Sequence, residues 1–324
     1  MKLPDARRAL LALPLLMLRA PALAQAPWPE RPITLVVPFG PGGIADLTAR
    51  TVAQAMSATL KVPIVVDNKP SAGSIVGSAA VAQAVPDGTT LLLMSNANAV
   101  SAGLFRKLPF DVQKDFAPVG TLGVFDLALF VGADSKPKSV RELLDQAKAR
   151  PGKLTIGTIA VGSTQHLSAE LFKSRTGIDA LIVPYKGSPA LLTALRSGEI
   201  DAAFEILGPM LPQVQARAVR ALAVTSDRRF AALPEVPTMR EAGVPDYEVA
   251  SWNALAAPAK TPTAVVDKLN AAANKALESP AVQQRLLALG VRAQGGTPQQ
   301  LQALLASEIR HWGEVIRAAK IEPE

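Results

Sequence analysis

The chain of 324 residues contains no cysteine and only two histidines, His166 and His311. The absence of cysteine excludes disulfides, thiolate metal sites, a cysteine nucleophile and a lipid anchor on an N-terminal cysteine. The two histidines are too far apart for a zinc-binding helix motif, and no H-E-x-x-H, G-x-S-x-G or G-x-x-x-x-G-K-[ST] sequence occurs. The sequence therefore predicts no metal, no cofactor and no catalytic residue.

Clusters of basic residues interleaved with aromatic residues are also missing, although the formal net charge is +7. Part of this charge belongs to the first twenty residues, where four basic side chains stand against a single acidic one, Asp5. The charge on the rest of the chain is mild. It gives a nucleic-acid partner no support and is compatible with small anionic solutes.

The longest apolar run near the N-terminus, residues 9–18, is too short to span a bilayer. It follows basic residues and precedes Ala24-Gln25-Ala26, a small-x-small cleavage pattern. We therefore predict a signal peptide over residues 1–26 and a periplasmic protein. The pair Arg7-Arg8 leaves a twin-arginine export route open beside the general secretory route.

The remaining chain is predicted to alternate strands and helices. Hydrophobic residues make up 49 % and charged residues 19 % of the sequence, which indicates a globular chain long enough for two domains. Short continuous apolar runs suit parallel strands buried on both faces. Helix starts are readable at Ser139, Ser188, Thr261, Ser279 and Thr297. The strands are predicted at residues 33–37, 63–67, 90–95, 153–158, 180–184, 200–206 and 219–225.

Two longer apolar segments, 118–131 and 247–258, flank the second group of strands. No Gly/Ser linker is visible, so we interpret these segments as crossovers between two lobes. The predicted fold class is α/β, with each lobe a doubly wound sheet flanked by helices. The first lobe would hold residues 27–126 and 251–324, including the C-terminal helices, and the second lobe residues 127–250.

The first polar loop, residues 40–46, follows a predicted strand and opens a helix. The run Gly40-Pro41-Gly42-Gly43-Ile44-Ala45 fits the dinucleotide fingerprint G-x-G-x-x-G/A loosely, and Asp67 lies where a ribose-binding carboxylate would be expected. Pro41 removes one N–H donor, however, and an exported chain meets little nicotinamide cofactor. The loop also suits a carboxylate ligand, because its free amides form an anion-binding nest. Asp46 is interpreted as the N-cap of the helix, with ligand contact as the alternative.

A second polar loop, residues 157–166, is built in the same way in the other predicted lobe. Its polar and small residues suit either a carboxylate ligand or helix capping, and both roles remain open for Thr158, Gly162, Ser163, Thr164 and His166.

Two further strand ends are candidates for the same cleft. Tyr185 and Gly187 lie at a strand-to-helix turn and could add a hydroxyl and an amide. Glu205 ends another strand, where it either faces the cleft or lies on a solvated rim.

Taken together, the motifs resemble those of the Bug-type extracytoplasmic solute receptors of tripartite tricarboxylate transporters. The resemblance covers nearly the whole mature chain. It is carried by residues 28–46 (WPERPITLVVPFGPGGIAD), 65–74 (VVDNKPSAGS), 86–93 (PDGTTLLL), 108–119 (LPFDVQKDFAPV), 151–158 (PGKLTIGT), 161–167 (VGSTQHL), 183–192 (VPYKGSPALL), 222–243 (LAVTSDRRFAALPEVPTMREAG) and 257–270 (APAKTPTAVVDKLN).

The resemblance implies a monomeric two-lobed periplasmic binding protein of the Venus-flytrap type, similar to type II. It also implies that this receptor captures a small organic acid without catalysis and delivers it to a membrane permease. Its ligand loops correspond to residues 40–46, Ser95-Asn96, Thr158 with residues 162–166, and residues 185–187. The rival interpretation is an exported α/β enzyme acting on a small carboxylate.

Three residues depart from the family pattern. Ile44 and Ala160 stand where smaller residues are common, and Glu205 stands where a shorter polar side chain is usual. An ionised, inward-facing Glu205 would disfavour a second carboxylate at the far end of the ligand.

Overall fold

The computed structural model describes residues 28–159 and 161–323, so the predicted signal peptide and Ala160 lie outside the described residues. Within these residues, no helix has the length and apolar composition that a membrane crossing requires. The strands of this part are β1 (Ile33–Val37), β2 (Ile64–Asn68), β3 (Thr90–Ser95), β4 (Phe116–Gly132), β5 (Leu154–Ile159), β6 (Ala180–Tyr185), β7 (Ala202–Ile206), β8 (Val219–Val224), β9 (Ala250–Pro258) and β10 (Val291–Ala293). The helices are α1 (Ile44–Leu60), α2 (Ile75–Ala82), α3 (Asn96–Leu104), α4 (Val140–Ala149), α5 (Thr164–Thr176), α6 (Ser188–Ser197), α7 (Leu207–Gln215), α8 (Thr263–Glu278), α9 (Pro280–Ala288) and α10 (Pro298–Ala318).

The strands form a single mixed sheet in the order β2-β1-β3-β9-β4-β7-β5-β6, with β10 and β8 pairing along β4. The long strand β4 explains this continuity. Its first part pairs with β9 and β10, and its second part pairs with β7 and β8. We call β1, β2, β3, β9 and β10 the first half of the sheet, and β5 to β8 the second half. Helices α1 to α3, α8 and α9 and the loops beside them are counted with the first half, and helices α5 to α7 and the loops beside them with the second half. The two predicted α/β units therefore share a strand.

The predicted crossover segments both pass between the two halves. One is β4 itself. In the other, the Val249 amide donates to the Thr225 carbonyl at 2.9 Å and the Tyr247 hydroxyl to the Ser168 carbonyl at 2.7 Å, both in the second half. The chain then enters β9 in the first half. The prediction of two crossovers is confirmed.

Three hydrophobic clusters hold the layers together. One lies between the first half of the sheet and helices α1, α8 and α9, and another lies between the second half and helices α6 and α7. The third runs along the opposite face through both halves and includes α3, α5 and α10. The C-terminal helices were expected to return to the first lobe. Helices α8 and α9 pack on α1, but α10 contacts both α3 and α5 and so touches both halves.

Helix starts follow the sequence signals with small differences. Thr297 and Gln300 form the predicted capping box of α10, and Ser139 caps α4. The prediction that Ser188 caps α6 is wrong by one residue: Gly187 is the N-cap and Ser188 is the first helical residue. Helix α8 begins at Thr263, after Pro262, so Thr261 is not its cap.

Candidate functional site: a gap between strand ends

The carboxyl ends of strands from the two halves face one another along β4. Ser95, the last residue of β3, pairs with Asn253 of β9, and Asn253 also pairs with Gly123 of β4. Ser95 and Gly123 are therefore at the same level of the sheet. Ile206, the last residue of β7, pairs with Leu127 of β4. The stretch of β4 between these two levels spans roughly 13 Å, at about 3.3 Å per residue. The carboxyl ends of strands in α/β sheets are the usual place for a ligand, so this gap is the candidate site.

The first loop, residues 40–46, lies at this edge between β1 and α1. Its glycines are exposed, and Gly42 has a φ of +83°, a conformation that favours glycine. Helix α1 begins after Gly43, and no side chain caps it at that position. The first N–H groups of α1 are therefore presented at the gap, as at other anion-binding helix starts.

Asp46 is buried and holds this loop in place. Its carboxylate accepts hydrogen bonds from the Gly42 amide at 2.9 Å, Arg50 Nε at 3.0 Å and Asn68 Nδ2 at 2.9 Å. The prediction that Asp46 is the N-cap is wrong, because Gly43 occupies that position and Asp46 lies inside the first turn. With its oxygens occupied by these donors, Asp46 orders the loop.

The protonation state of Asp46 follows from the same contacts. Burial alone would raise its pKa, but the hydrogen bonds from Arg50, Gly42 and Asn68 and the charge of Arg50 outweigh burial and lower the pKa below 3.8. Asp46 is therefore ionised at neutral pH.

Ser95 and Asn96 connect the first half of the sheet to its neighbours. Ser95 caps α3 by accepting from the Ala97 amide. Asn96 is buried; its Oδ1 accepts from Trp312 Nε1 at 2.8 Å and its Nδ2 donates to Thr164 Oγ1 at 2.9 Å. Since Thr164 starts α5 in the second half, this amide bridges the gap directly.

The second loop packs against the first half as well. Gly162 has a φ of +78°, and a Cβ there would overlap the side chain of Leu104 at the end of α3. Ser163 is the N-cap of α5: its hydroxyl accepts from the His166 amide and donates to the Ile159 carbonyl, both at 3.1 Å. Of the two roles left open for Ser163, capping is thus observed.

We expect Ser163→Ala to lower the free energy of unfolding of the ligand-free protein by about 1 kcal/mol, because the N-cap hydrogen bond is lost. Chemical denaturation measures this change. Ser307→Ala, at an exposed position within α10, is the matched control and should leave stability nearly unchanged. Equal stability of the Ser163→Ala variant and the wild type would contradict the capping role.

His166 and Thr158, two further candidates of the second loop, are buried. His166 is 7 % exposed and its Nδ1 accepts from the Gly162 amide at 3.4 Å. Burial lowers the pKa of His166, with Glu170 opposing and Lys173 adding to the effect, so the neutral imidazole is favoured. Thr158 is fully buried near the end of β5, and its hydroxyl has no hydrogen-bond partner among residues 28–159 and 161–323.

Glu205 is fully buried near the end of β7, so the solvated-rim alternative is wrong. Its Oε1 accepts from Gln165 Nε2 and from the Ile206 amide, both at 2.7 Å. Its Oε2 forms no hydrogen bond with any residue that the structure describes. Burial raises the pKa of Glu205 more than these hydrogen bonds lower it, which favours the neutral carboxyl and not the ionised form considered from the sequence.

The Tyr185 side chain is directed away from the Thr158 and Glu205 side chains. Its hydroxyl donates to Glu199 at 2.8 Å, and burial together with that carboxylate raises the pKa of Tyr185 to about 12. The structure therefore does not bring the Tyr185 hydroxyl together with Thr158 and Glu205. Gly187 is the N-cap of α6 and lies just after the end of β6. No side chain of the described residues caps α6 at this position.

The two halves also touch through glycines. A Cβ on Gly208, at the start of α7, would overlap the Leu289 carbonyl oxygen and lie 3.3 Å from Ile44 Cδ1. A Cβ on Gly290 would lie 2.6 Å from the Gly208 Cα atom. Backbone thus meets backbone at this contact, and Ile44 lies against the second half.

Gln165 lies in the predicted second loop, but Gly208, Trp312 and Asn253 have no signal in the sequence. Gln165, Gly208 and Trp312 acquire their roles only through partners far away in the chain. Asn253 is 1 % exposed beside Ser95, and neither of its side-chain polar atoms has a partner in the part of the chain that the structure describes. Only their polar or small character could have drawn attention to them.

Two sizeable surface cavities lie elsewhere. One of about 970 Å³ is lined by the start of α4 and by β8, and one of about 710 Å³ by α10, β9 and the segment before β9. None of the predicted ligand-binding residues lines either cavity. Within residues 28–159 and 161–323, no three His, Asp or Glu side chains gather in a way that could hold a metal ion.

Comparison with known proteins decides the family. Residues 48–321 match the model of the tripartite tricarboxylate transporter family receptor. The chain belongs to this family. Protein BugT of Bordetella pertussis is 37 % identical over 292 residues, which are 90 % of this chain and 90 % of BugT. The resemblance to Bug-type receptors inferred from the sequence is confirmed.

Solved structures of the family share the fold. The periplasmic binding protein BugD has 32 % sequence identity and a TM-score of 0.80, over 92 % of this chain and 100 % of BugD. The R. palustris protein Rpa4515, solved with adipate, has 36 % identity and a TM-score of 0.82, over 92 % of this chain and 100 % of Rpa4515. The predicted two-lobed periplasmic-binding-protein fold is confirmed.

Proposed function

We propose that this receptor captures a small organic acid in the gap between the two halves and releases it to a membrane permease of the tripartite tricarboxylate type. The proposal rests on two helix-start loops, residues 40–46 and 161–166, which follow the carboxyl ends of β1 and β5 at the facing edges of the two halves. Backbone amides at helix starts bind carboxylates without needing a charged side chain. Adipate in the related Rpa4515 is such a ligand.

In this proposal the lobes are residues 27–126 with 251–324 and residues 127–250. The amides of the first loop hold one carboxylate of the ligand, and residues at the strand ends of the second lobe contact its far end. The ligand-facing residues are Gly40, Gly42, Gly43, Ser95, Asn96, Thr158, Gly162, Ser163, Thr164, His166, Gly187 and Glu205.

Closure of the lobes would link binding to delivery. The Asn96–Thr164 hydrogen bond and the contact between Gly208 and Gly290 form only when the two halves are close together. A ligand that contacts both halves favours this arrangement over an open one. A permease can then distinguish the loaded receptor by its shape. We place the receptor in the periplasm as a monomer, without catalytic activity.

Thermal unfolding of the full exported chain, stripped of bound ligand by unfolding and refolding, tests the proposal. The panel is adipate, other mono-, di- and tricarboxylates, amino acids and NAD(H). A ligand at 100 times its Kd adds about 2.7 kcal/mol, which raises the Tm by roughly 5 °C for a chain of this size. Mass spectrometry should recover the acid unchanged.

Two outcomes would contradict the proposal. Stabilisation by NAD(H) alone would restore the nucleotide interpretation of the first loop. Conversion of the acid to a product would favour the exported enzyme.

A further inference from the structure

Glu205 is fully buried, and its two carboxyl oxygens differ in the hydrogen bonds that they accept. Oε1 accepts two N–H donors, one from Gln165 on α5 and one from the Ile206 backbone. Oε2 accepts none. The Ser188 hydroxyl at the start of α6 lies near the carboxyl without closing a hydrogen bond to Oε2. Two N–H donors thus hold Oε1, and the Ser188 hydroxyl is a further polar group beside the carboxyl.

This pattern is the one expected of a neutral carboxylic acid. In such a group the carbonyl oxygen accepts hydrogen bonds and the hydroxyl oxygen carries the proton. Oε1 accepts two short hydrogen bonds and therefore acts as the carbonyl oxygen, which leaves the proton on Oε2. A buried ionised carboxylate with one bare oxygen would be strongly unfavourable.

Within residues 28–159 and 161–323, no salt bridge to Glu205 is formed. On α5, the titratable residue next to Gln165 in the chain is His166, whose neutral form is favoured. Tyr185 and Lys186 precede α6; the Tyr185 hydroxyl binds Glu199 and Lys186 is exposed. On β4, the residue beside Glu205 is Ala128, and Asp126 is paired with Arg292. The shift of the Glu205 pKa has no contribution from any charged neighbour.

We infer that Glu205 is a neutral hydrogen-bond donor that selects ligands with an oxygen acceptor at the end remote from the first loop. This inference rests on the proposed function. The ligand class is an organic acid with a second carboxylate, carbonyl or hydroxyl oxygen, in contrast to an amino acid whose ammonium group would need an ionised Glu205. Gln165 is a positioning residue, because its amide holds Oε1 and so directs Oε2.

The first test needs no ligand and compares the melting temperatures of the wild type and Glu205→Gln between pH 5 and pH 9. A carboxyl with a raised folded pKa keeps its proton after the unfolded chain has lost it. The wild type should therefore lose stability relative to Glu205→Gln as pH rises from the unfolded pKa towards the folded pKa. Glu278→Gln, at an exposed position in α8, should follow the wild type. Parallel curves for all three proteins would overturn the inference.

The second test measures the affinity for adipate by calorimetry. Gln presents an N–H donor in place of the Oε2 hydroxyl, whereas Met fills the space without one. We expect Glu205→Met to weaken binding at least tenfold and Glu205→Gln by no more than about threefold. Wild-type affinity should fall as pH rises through the Glu205 pKa, and the affinity of Glu205→Gln should not.

The outcomes separate this inference from the proposed function. Equal loss of binding in Glu205→Gln and Glu205→Met, or stronger binding of aspartate than of adipate, would overturn the inference and leave carboxylate capture standing. If no acid binds at all, the proposed function fails, and the melting curves still decide whether Glu205 is neutral.

Discussion

Gly208→Ala should weaken ligand binding by about 10-fold to 100-fold while each half of the sheet stays folded. The added Cβ would overlap the Leu289 carbonyl oxygen and lie 2.9 Å from its carbonyl carbon. Neither partner is a flexible side chain, so the two halves must move apart. Overpacking of this kind costs about 1–3 kcal/mol, and about 1.4 kcal/mol is a tenfold change in affinity. Calorimetry with the acid that stabilises the wild type measures the effect.

Gly313→Ala is the matched control for this prediction. Gly313 lies inside α10, and a Cβ there would meet only the end of the Arg317 side chain, at 3.4 Å. Alanine favours the helix over glycine, so this variant should be slightly more stable and bind normally. Normal affinity of Gly208→Ala would mean that the contact between Gly208 and Gly290 plays no part in the bound form.

Asp46→Ala should lower the free energy of unfolding by about 2–4 kcal/mol, because three donors lose a buried ionised acceptor. For a chain of this size the Tm should fall by roughly 4–8 °C. The first loop would also lose the hydrogen bond that fixes Gly42, and we expect weaker carboxylate binding at a permissive temperature. Asp267→Ala, at an exposed position in α8, should change stability by less than about 0.5 kcal/mol.

The pH dependence gives this prediction a sign. The folded pKa of Asp46 is lowered, so its contribution to stability is present above the unfolded pKa and disappears as pH falls through the folded pKa. The difference in Tm between the wild type and Asp46→Ala should therefore shrink in acid. A constant difference down to low pH would contradict the ionised network around Asp46.

The elements of this fold could be predicted because their signals are local. The capping box at Thr297, the apolar runs of the strands and the two helix-start loops all depend on a few neighbouring residues. The sharing of β4 by both halves could not be predicted in this way. A run of apolar residues does not reveal that its two ends pair with different strands.

The contacts between residues distant in the chain could not be predicted from the sequence for a related reason. Asn96 and Thr164 are 68 residues apart, and Gln165 and Glu205 are 40 residues apart. Their hydrogen bonds depend on the register of the strands that carry them. The loops were identified correctly as loops, but which side chain caps, which orders and which faces the gap depended on these contacts, as Asp46 and Tyr185 illustrate.

A crystal structure of the chain with the acid that raises its Tm most would test the central claim directly. The account predicts one acid molecule per chain in the gap, with a carboxylate on the amides of the first loop and an oxygen within hydrogen-bond distance of Glu205 Oε2. An acid bound instead in the cavity beside α4 and β8, or in the one beside α10 and β9, would contradict it.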